Sequence, residues 1–400
     1  MILRKAMILA SALSLIVVGC ECCSKSGGNL VQKKETLTLA PLIDEEATSL
    51  TVSLHGNMWK LLDRGTMFGA QIPTLYGLDG GKAKWYDTDG KAEHSDTKYL
   101  IGTHPAVCGW EISGIETGQE LNIDKENFND IRTHIQAAYR RGAVNTMSWH
   151  CANPVTDGNS WDPTRAVYAI IPGGYLNGKF NSYLDHVAAF ISSLKTDDGE
   201  LIPIIFRPWH EHTGAGFWWG KGNATKDEFI ALWQYTVKYL RDEKGLHNLI
   251  WAYSPDMCHL SSRNDYLEYW PGDEYVDILG LDAYDREGQN YGHRGLQLVR
   301  MANVIAAEKH KMFALTETGL ENNAETSAWN NKKWWTTMLH HIIAGQRVSF
   351  ALVWRNGDFP SNGGHYFNAF RGCWSEDDFV KFAGYDDVLF ERDLPKMYER

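Results

Sequence analysis

The chain has 400 residues, 44% of them hydrophobic, and a formal net charge of −11. That length fits one large α/β barrel or two ordinary domains, with a full core in either case. The acidic balance and the lack of a basic stripe exclude nucleic acid as a partner, because phosphate binding needs clustered Lys and Arg.

Residues 1–19 read as a secretory signal. Arg4 and Lys5 form its charged start, and "AMILASALSLIVV" is an apolar stretch too short to span a membrane. "VVGC" resembles a bacterial lipoprotein cleavage box, in which Cys20 carries the lipid. Plain secretion, with Cys20, Cys22 and Cys23 incidental, is the alternative. Residues 20–45, including the polar stretch "SKSGGNLVQKKE", read as a tether. A lipid anchor implies the bacterial cell envelope, with the outer membrane expected and its cell-surface or periplasmic face left open.

The remainder, 46–400, reads as one domain. It alternates short apolar runs with helix patterns. The runs are 65–71, 105–112, 143–150, 201–211, 248–256, 276–284, 311–319 and 348–356. Each is near-continuously apolar, as expected of strands buried on both faces. Between them, "KENFNDIRTHIQAAYRRG" places Phe128, Ile131 and Ile135 on one helix face. "TKDEFIALWQYTVKYLRDEKG" opens with a capping box, Thr225 to Glu228, and closes at Gly245. Eight such alternations predict an α/β fold, a (β/α)8 TIM barrel, over an open doubly wound sheet.

In a barrel, polar residues at the C-terminal strand ends face the functional mouth. Those ends read Glu111, His150, Glu211, Asp256, Asp282 with Tyr284, Glu317, and Trp354 with Arg355. Glu211 and Glu317 end the fourth and seventh runs, which face each other across a barrel. Paired carboxylates flanking a sugar perform glycoside hydrolysis. Their roles need different proton affinities. The rings of "FWWG" beside Glu211 suit it as acid/base, and a donor such as Tyr284 suits Glu317 as nucleophile. Sixteen Trp also point to carbohydrate, since sugar C–H faces stack on indoles. His150, His210 and His212 lack the HExxH spacing of a zinc site, so no metal is expected. "GAGFWWG" is no phosphate loop, because bulky rings block backbone approach. No GxSxG supports a serine nucleophile.

Together these segments resemble the β-mannanases of glycoside hydrolase family 26, over about residues 50–390. "FRPWHEHTG" resembles the acid/base strand, with Glu211 as proton donor and His210 before it. "ALTETGLE" resembles the nucleophile strand, with Glu317 as nucleophile. "WPGDEYVDILGLDAY" supplies Asp282 and Tyr284, and "SWHCANP" supplies His150. "LVWRNG" supplies Trp354 as a sugar platform and Arg355 as a contact one subsite further on. Trp218 and Trp219 are implied sugar-binding rings. Gly216 stands where family members often carry another Trp, which removes one stacking surface on the leaving-group side. The loop 153–174 is long enough to narrow the cleft.

The resemblance implies retaining hydrolysis of β-1,4-mannosidic bonds in mannan or manno-oligosaccharides. A monomer without a cofactor is expected. Endo cleavage is expected, with release of mannobiose from chain ends as the alternative. A non-catalytic, lipid-anchored glycan-binding protein is the rival from another class.

Overall fold

Strands that are apolar on both faces must pair side by side and be covered by helices. The computed structural model describes residues 37–79, 83–288, 290–321, 331–357 and 365–399. Its eight principal strands are β1 (Thr66–Gln71), β2 (Val107–Glu111), β3 (Val144–Trp149) and β4 (Ile204–Pro208), then β5 (Leu249–Tyr253), β6 (Ile278–Asp285), β7 (Met312–Leu320) and β8 (Val348–Val353). Each overlaps its predicted run. Each pairs in parallel with the next, and β8 returns to β1, with Met67 opposite Phe350 and Ala70 opposite Val353. The sheet is therefore a closed (β/α)8 barrel. The predicted signal, Cys20 and the tether as far as residue 36 lie outside the described residues.

Alternation along the strands sorts their side chains into two cores. Met67, Val107, Val144, Ile205, Ile250, Ile278, Met312 and Phe350 point inward near the strand starts and pack with Leu54, Met58 and Leu61. Those three come from the helix Ser49–Leu61, which closes the N-terminal end of the barrel. Phe68, Phe206, Trp251, Leu279 and Phe313 point outward into the larger core beneath the helices. The helix Phe128–Arg140 buries Phe128, Ile131 and Ile135, the face its periodicity predicts. The helix Lys226–Lys238 starts with the predicted capping box: Thr225 Oγ1 accepts from Glu228 N at 3.2 Å, and Glu228 Oε2 accepts from Thr225 N at 2.7 Å. Among the described residues, Cys108, Cys151 and Cys373 are buried free thiols.

Residues 40–48 run across the N-terminal face of the barrel. Ala40 N donates to His310 O at 2.8 Å, and Thr48 N donates to His247 O at 2.9 Å. Ile43 N donates to Asp277 Oδ1 at 2.9 Å, and Trp251 N donates to Asp277 Oδ2 at 2.8 Å. His310, Asp277 and His247 each sit just before a strand, so this strap lies opposite the polar strand ends. Asp277 is buried. Its replacement strands two backbone donors, and an unsatisfied buried donor costs about 1–3 kcal/mol. Asp277→Ala is expected to lower unfolding free energy by at least about that amount in a denaturant titration; an unchanged midpoint refutes the strap's contribution.

Candidate active site

The polar strand ends converge at the C-terminal mouth. Two local distortions aim the glutamates. After β4 the backbone turns sharply, with Trp209 at φ 53° and Glu211 at φ 52°. A left-handed conformation at a residue other than glycine costs about 1–3 kcal/mol and persists only where surroundings hold it. Here Glu211 N donates to Ser254 O at 2.8 Å. Trp209 is buried among Trp149, Trp218 and Trp219, with ring centroids 5.0–5.4 Å apart.

The second distortion is a register shift between β6 and β7. Leu281 lies opposite Leu315, but Asp282 lies opposite Glu317, so Thr316 is the extra residue of a bulge. Alternation would send Glu317 outward with Phe313 and Leu315. The bulge turns it into the barrel instead. Thr316 stays inward and donates to Asp282 Oδ1 at 2.6 Å. Gly280 makes room, because a Cβ there would meet Thr316 Oγ1 at 2.7 Å and Ser254 Cβ at 2.8 Å.

Carboxylate oxygens of Glu211, Asp282 and Glu317 come within 4.8 Å of one another. Arg207, which points inward from β4, sits among them. Its Nη1 donates to Asp282 Oδ2 at 2.8 Å, and its Nη2 donates to Glu317 Oε1. Tyr284 Oη donates to Glu317 Oε2 at 2.5 Å. Burial opposes the charge on Arg207, but Asp282 and Glu317 hold its proton affinity above the ordinary value. Among the described residues this trio is also the metal-type grouping. Arg207 occupies two of its three carboxylates and supplies the positive charge from within the chain.

Glu211 takes no share of the guanidinium through a hydrogen bond. Burial first, and then the charges of Glu317, Asp282 and Asp256, push its carboxyl well above the usual range. The two glutamates are thus unequal: burial and neighbouring charge favour the protonated form of Glu211, while Glu317 is held by donors on both oxygens.

The surrounding wall corrects part of the expectation. Trp218 and Trp219 are fully buried and offer no face to a ligand. Their indole N–H groups donate to Cys151 O at 2.9 Å and His210 O at 2.8 Å, so they support the wall behind the site. His212 is likewise buried, with Nε2 2.8 Å from Tyr253 Oη. Trp354 is partly exposed, its ring centroid 6.2 Å from that of His150. Arg355 is buried, paired to Asp124 Oδ1 at 2.5 Å and donating to Tyr76 Oη at 3.2 Å. His150 contacts Glu111 at 2.8 Å and His210 at 3.1 Å.

Three residues escaped the sequence reading. Arg207 was legible, since it shares the inward face of β4 with Ile205. Trp161, in the loop 153–174, is half exposed and stands 5.4 Å from His150 and 5.8 Å from Phe217 between ring centroids. It offers the aromatic surface that Trp218 and Trp219 do not. That loop is pinned to the wall by Trp218 N, which donates to Ser160 O at 3.1 Å. Asp124, which holds Arg355, lies in an irregular loop with no periodicity to mark it.

Removing Arg207 leaves two buried carboxylates facing each other without a counter-ion, a loss of about 3–5 kcal/mol for a broken buried pair. Arg207→Leu is therefore expected to unfold at markedly lower temperature in calorimetry; a melting temperature within a degree or so of wild type contradicts the assigned role.

Comparison with known proteins agrees with this architecture. The profile described as Glycosyl hydrolase family 26 matches residues 43–342. A mannan endo-1,4-beta-mannosidase of Bifidobacterium adolescentis is 34% identical over 73% of this chain and 30% of its own length. Another from Bacillus subtilis is 32% identical over 61% of this chain and 65% of its own length. The chain thus spans under a third of the first relative and about two thirds of the second. A solved GH26 beta-mannanase from Bacteroides ovatus superposes with TM-score 0.81 and 37% identity, covering 88% of this chain and 98% of that one. With its barrel, its glutamates just after the fourth strand and on the seventh, and a profile match over most of its length, the chain belongs to glycosyl hydrolase family 26.

Proposed function

We propose that the protein hydrolyses β-1,4-mannosidic bonds within mannan, with retention of anomeric configuration. The carboxyl spacing carries this reading: oxygens of Glu211 and Glu317 lie within 4.8 Å. Retaining glycosidases hold their two carboxyls about 5–5.5 Å apart, while inverting ones leave room for a water at about 6.5–9.5 Å. Glu317 attacks the anomeric carbon, and the proton on Glu211 passes to the leaving oxygen. Formation of the glycosyl ester removes the Glu317 charge. That charge is one of the causes that raise Glu211, so its proton affinity falls when its base role begins. Glu211 then takes a proton from water, which cleaves the ester and frees Glu317. Trp354 and Trp161 supply the ring faces on which sugars stack. The names of the Bifidobacterium and Bacillus relatives support mannan as substrate and internal cleavage as the mode.

Glu317→Ala is expected to lower reducing-sugar release from mannan by at least about a thousandfold. A variant as active as wild type sinks the nucleophile assignment, and a wild type that binds mannan without cleaving it supports glycan capture instead. Proton NMR during the first minutes of hydrolysis should show β product first, and α product first means inversion. Activity should fall as pH rises through the elevated Glu211 value, because the acid form is then lost.

Lipid anchoring through Cys20 in the bacterial envelope belongs to the same proposal. The "VVGC" box ending at Cys20 supports it. Cys20→Ala should move the protein from the membrane fraction to the soluble fraction; an unchanged distribution rules out the anchor.

A further inference from the structure

Glu111 ends β2, fully buried, and takes no part in the chemistry described above. Its two oxygens accept four hydrogen bonds. Oε1 accepts from Ser113 N at 2.8 Å and His150 N at 2.9 Å. Oε2 accepts from Ser148 Oγ at 2.6 Å and lies 2.8 Å from His150 Nδ1. Only hydrogen donors surround it, and a carboxylate that accepts from every side is held as the anion. A fully buried anion needs a counter-charge. Of the groups it contacts, only His150 can carry one.

The other nitrogen of His150, Nε2, is 3.1 Å from Nε2 of His210. If His150 is protonated on both nitrogens, it donates to Glu111 and to His210. His210 must then accept at Nε2, which puts its own proton on Nδ1. That nitrogen is buried and has no partner. An unpaired buried N–H costs about 1–3 kcal/mol, so its retention beside Glu211 calls for an acceptor that arrives later.

We propose that Glu111 is a positioning residue for the hydrolysis: as buried counter-ion it keeps His150 doubly protonated, and so fixes His210 as the Nδ1–H tautomer, a donor for an oxygen of the bound glycan. The proposal rests on the hydrolase reading only for its kinetic consequence. Other charges also face His150. Glu317 from β7 and Asp124 from the loop after β2 favour its proton, whereas its burial opposes it; Glu111 is the largest favourable contribution. On the other side, burial and the charge of Arg207 keep His210 neutral, well below the ordinary histidine value. The pair therefore divides into one cation and one neutral acceptor. Carboxylates that orient a histidine tautomer carry large effects in hydrolases of other types, up to about ten-thousandfold in kcat.

Nitrogen-15 NMR of the histidine rings tests this without substrate. The expected result is His150 protonated at both nitrogens at neutral pH, with His210 neutral and protonated at Nδ1. A neutral His150, or His210 protonated at Nε2, overturns the proposal whether or not mannan is cleaved. Glu111→Gln keeps the shape but removes the charge. It is expected to lower kcat on mannan at neutral pH by at least about tenfold, with little change in KM. Activity should recover as pH falls, because solution protons then restore the cation on His150. A pH profile of wild-type shape, merely scaled down, assigns Glu111 a structural role and refutes the proposal. Loss of all mannan hydrolysis in wild type with the expected tautomers leaves the histidine chain standing and removes the functional reading instead.

Discussion

One buried guanidinium organises the catalytic mouth. Arg207 sits between Asp282 and Glu317, bonding one with each terminal nitrogen. Two carboxylates inside a barrel repel each other and lose hydration worth several kcal/mol per ion. A rigid fork with a donor for each is a direct way to hold both. The space this requires is written into the neighbouring strands. Gly280 leaves room that Ser254 and Thr316 occupy, and both hydroxyls donate to Asp282. Glu211 lies close enough to feel both carboxylates but makes no hydrogen bond to the guanidinium. The same cluster therefore produces the inequality between the two glutamates that acid/base and nucleophile roles demand.

A layer of aromatic rings surrounds that cluster and divides into two functions. Trp149, Trp209, Trp218 and Trp219 are fully buried. Trp209, Trp218 and Trp219 each place the indole N–H on an internal acceptor: Thr236 Oγ1, Cys151 O and His210 O. These rings over-determine the strained turn that aims Glu211. The rings left with accessible surface, Trp161 and Trp354, flank His150 instead. Rigidity and ligand contact thus fall to different tryptophans, although the sequence places Trp218 and Trp219 closest to the acid/base.

Much of this was legible from residue order. Near-continuous apolar runs separated by amphipathic helices can bury both sheet faces only in a parallel α/β arrangement, and all eight runs are strands. A strand direction fixed by that alternation also fixes which end is the mouth. Glu211, Glu317, Asp282, Tyr284 and His150 could therefore be assigned to one rim from the sequence. The capping box at Thr225 was equally local, since it depends on residues three apart.

The tertiary structure decided what local pattern cannot encode. Period-two alternation sends Glu317 to the helix side with Phe313 and Leu315; only pairing with β6 and β8 introduces the bulge that turns it inward. Whether an indole is wall or platform depends on what packs over it, so Trp218 and Trp219 went inside while Trp161 stayed at the surface. Arg207 was visible as an inward residue, but its carboxylate partners come from strands more than seventy residues away. The sequence determined the strands, the rim and the chemical types gathered there, because those follow from periodicity and residue identity. Their charges, exposures and mutual distances belong to the folded barrel alone, because each is set by neighbours distant along the chain.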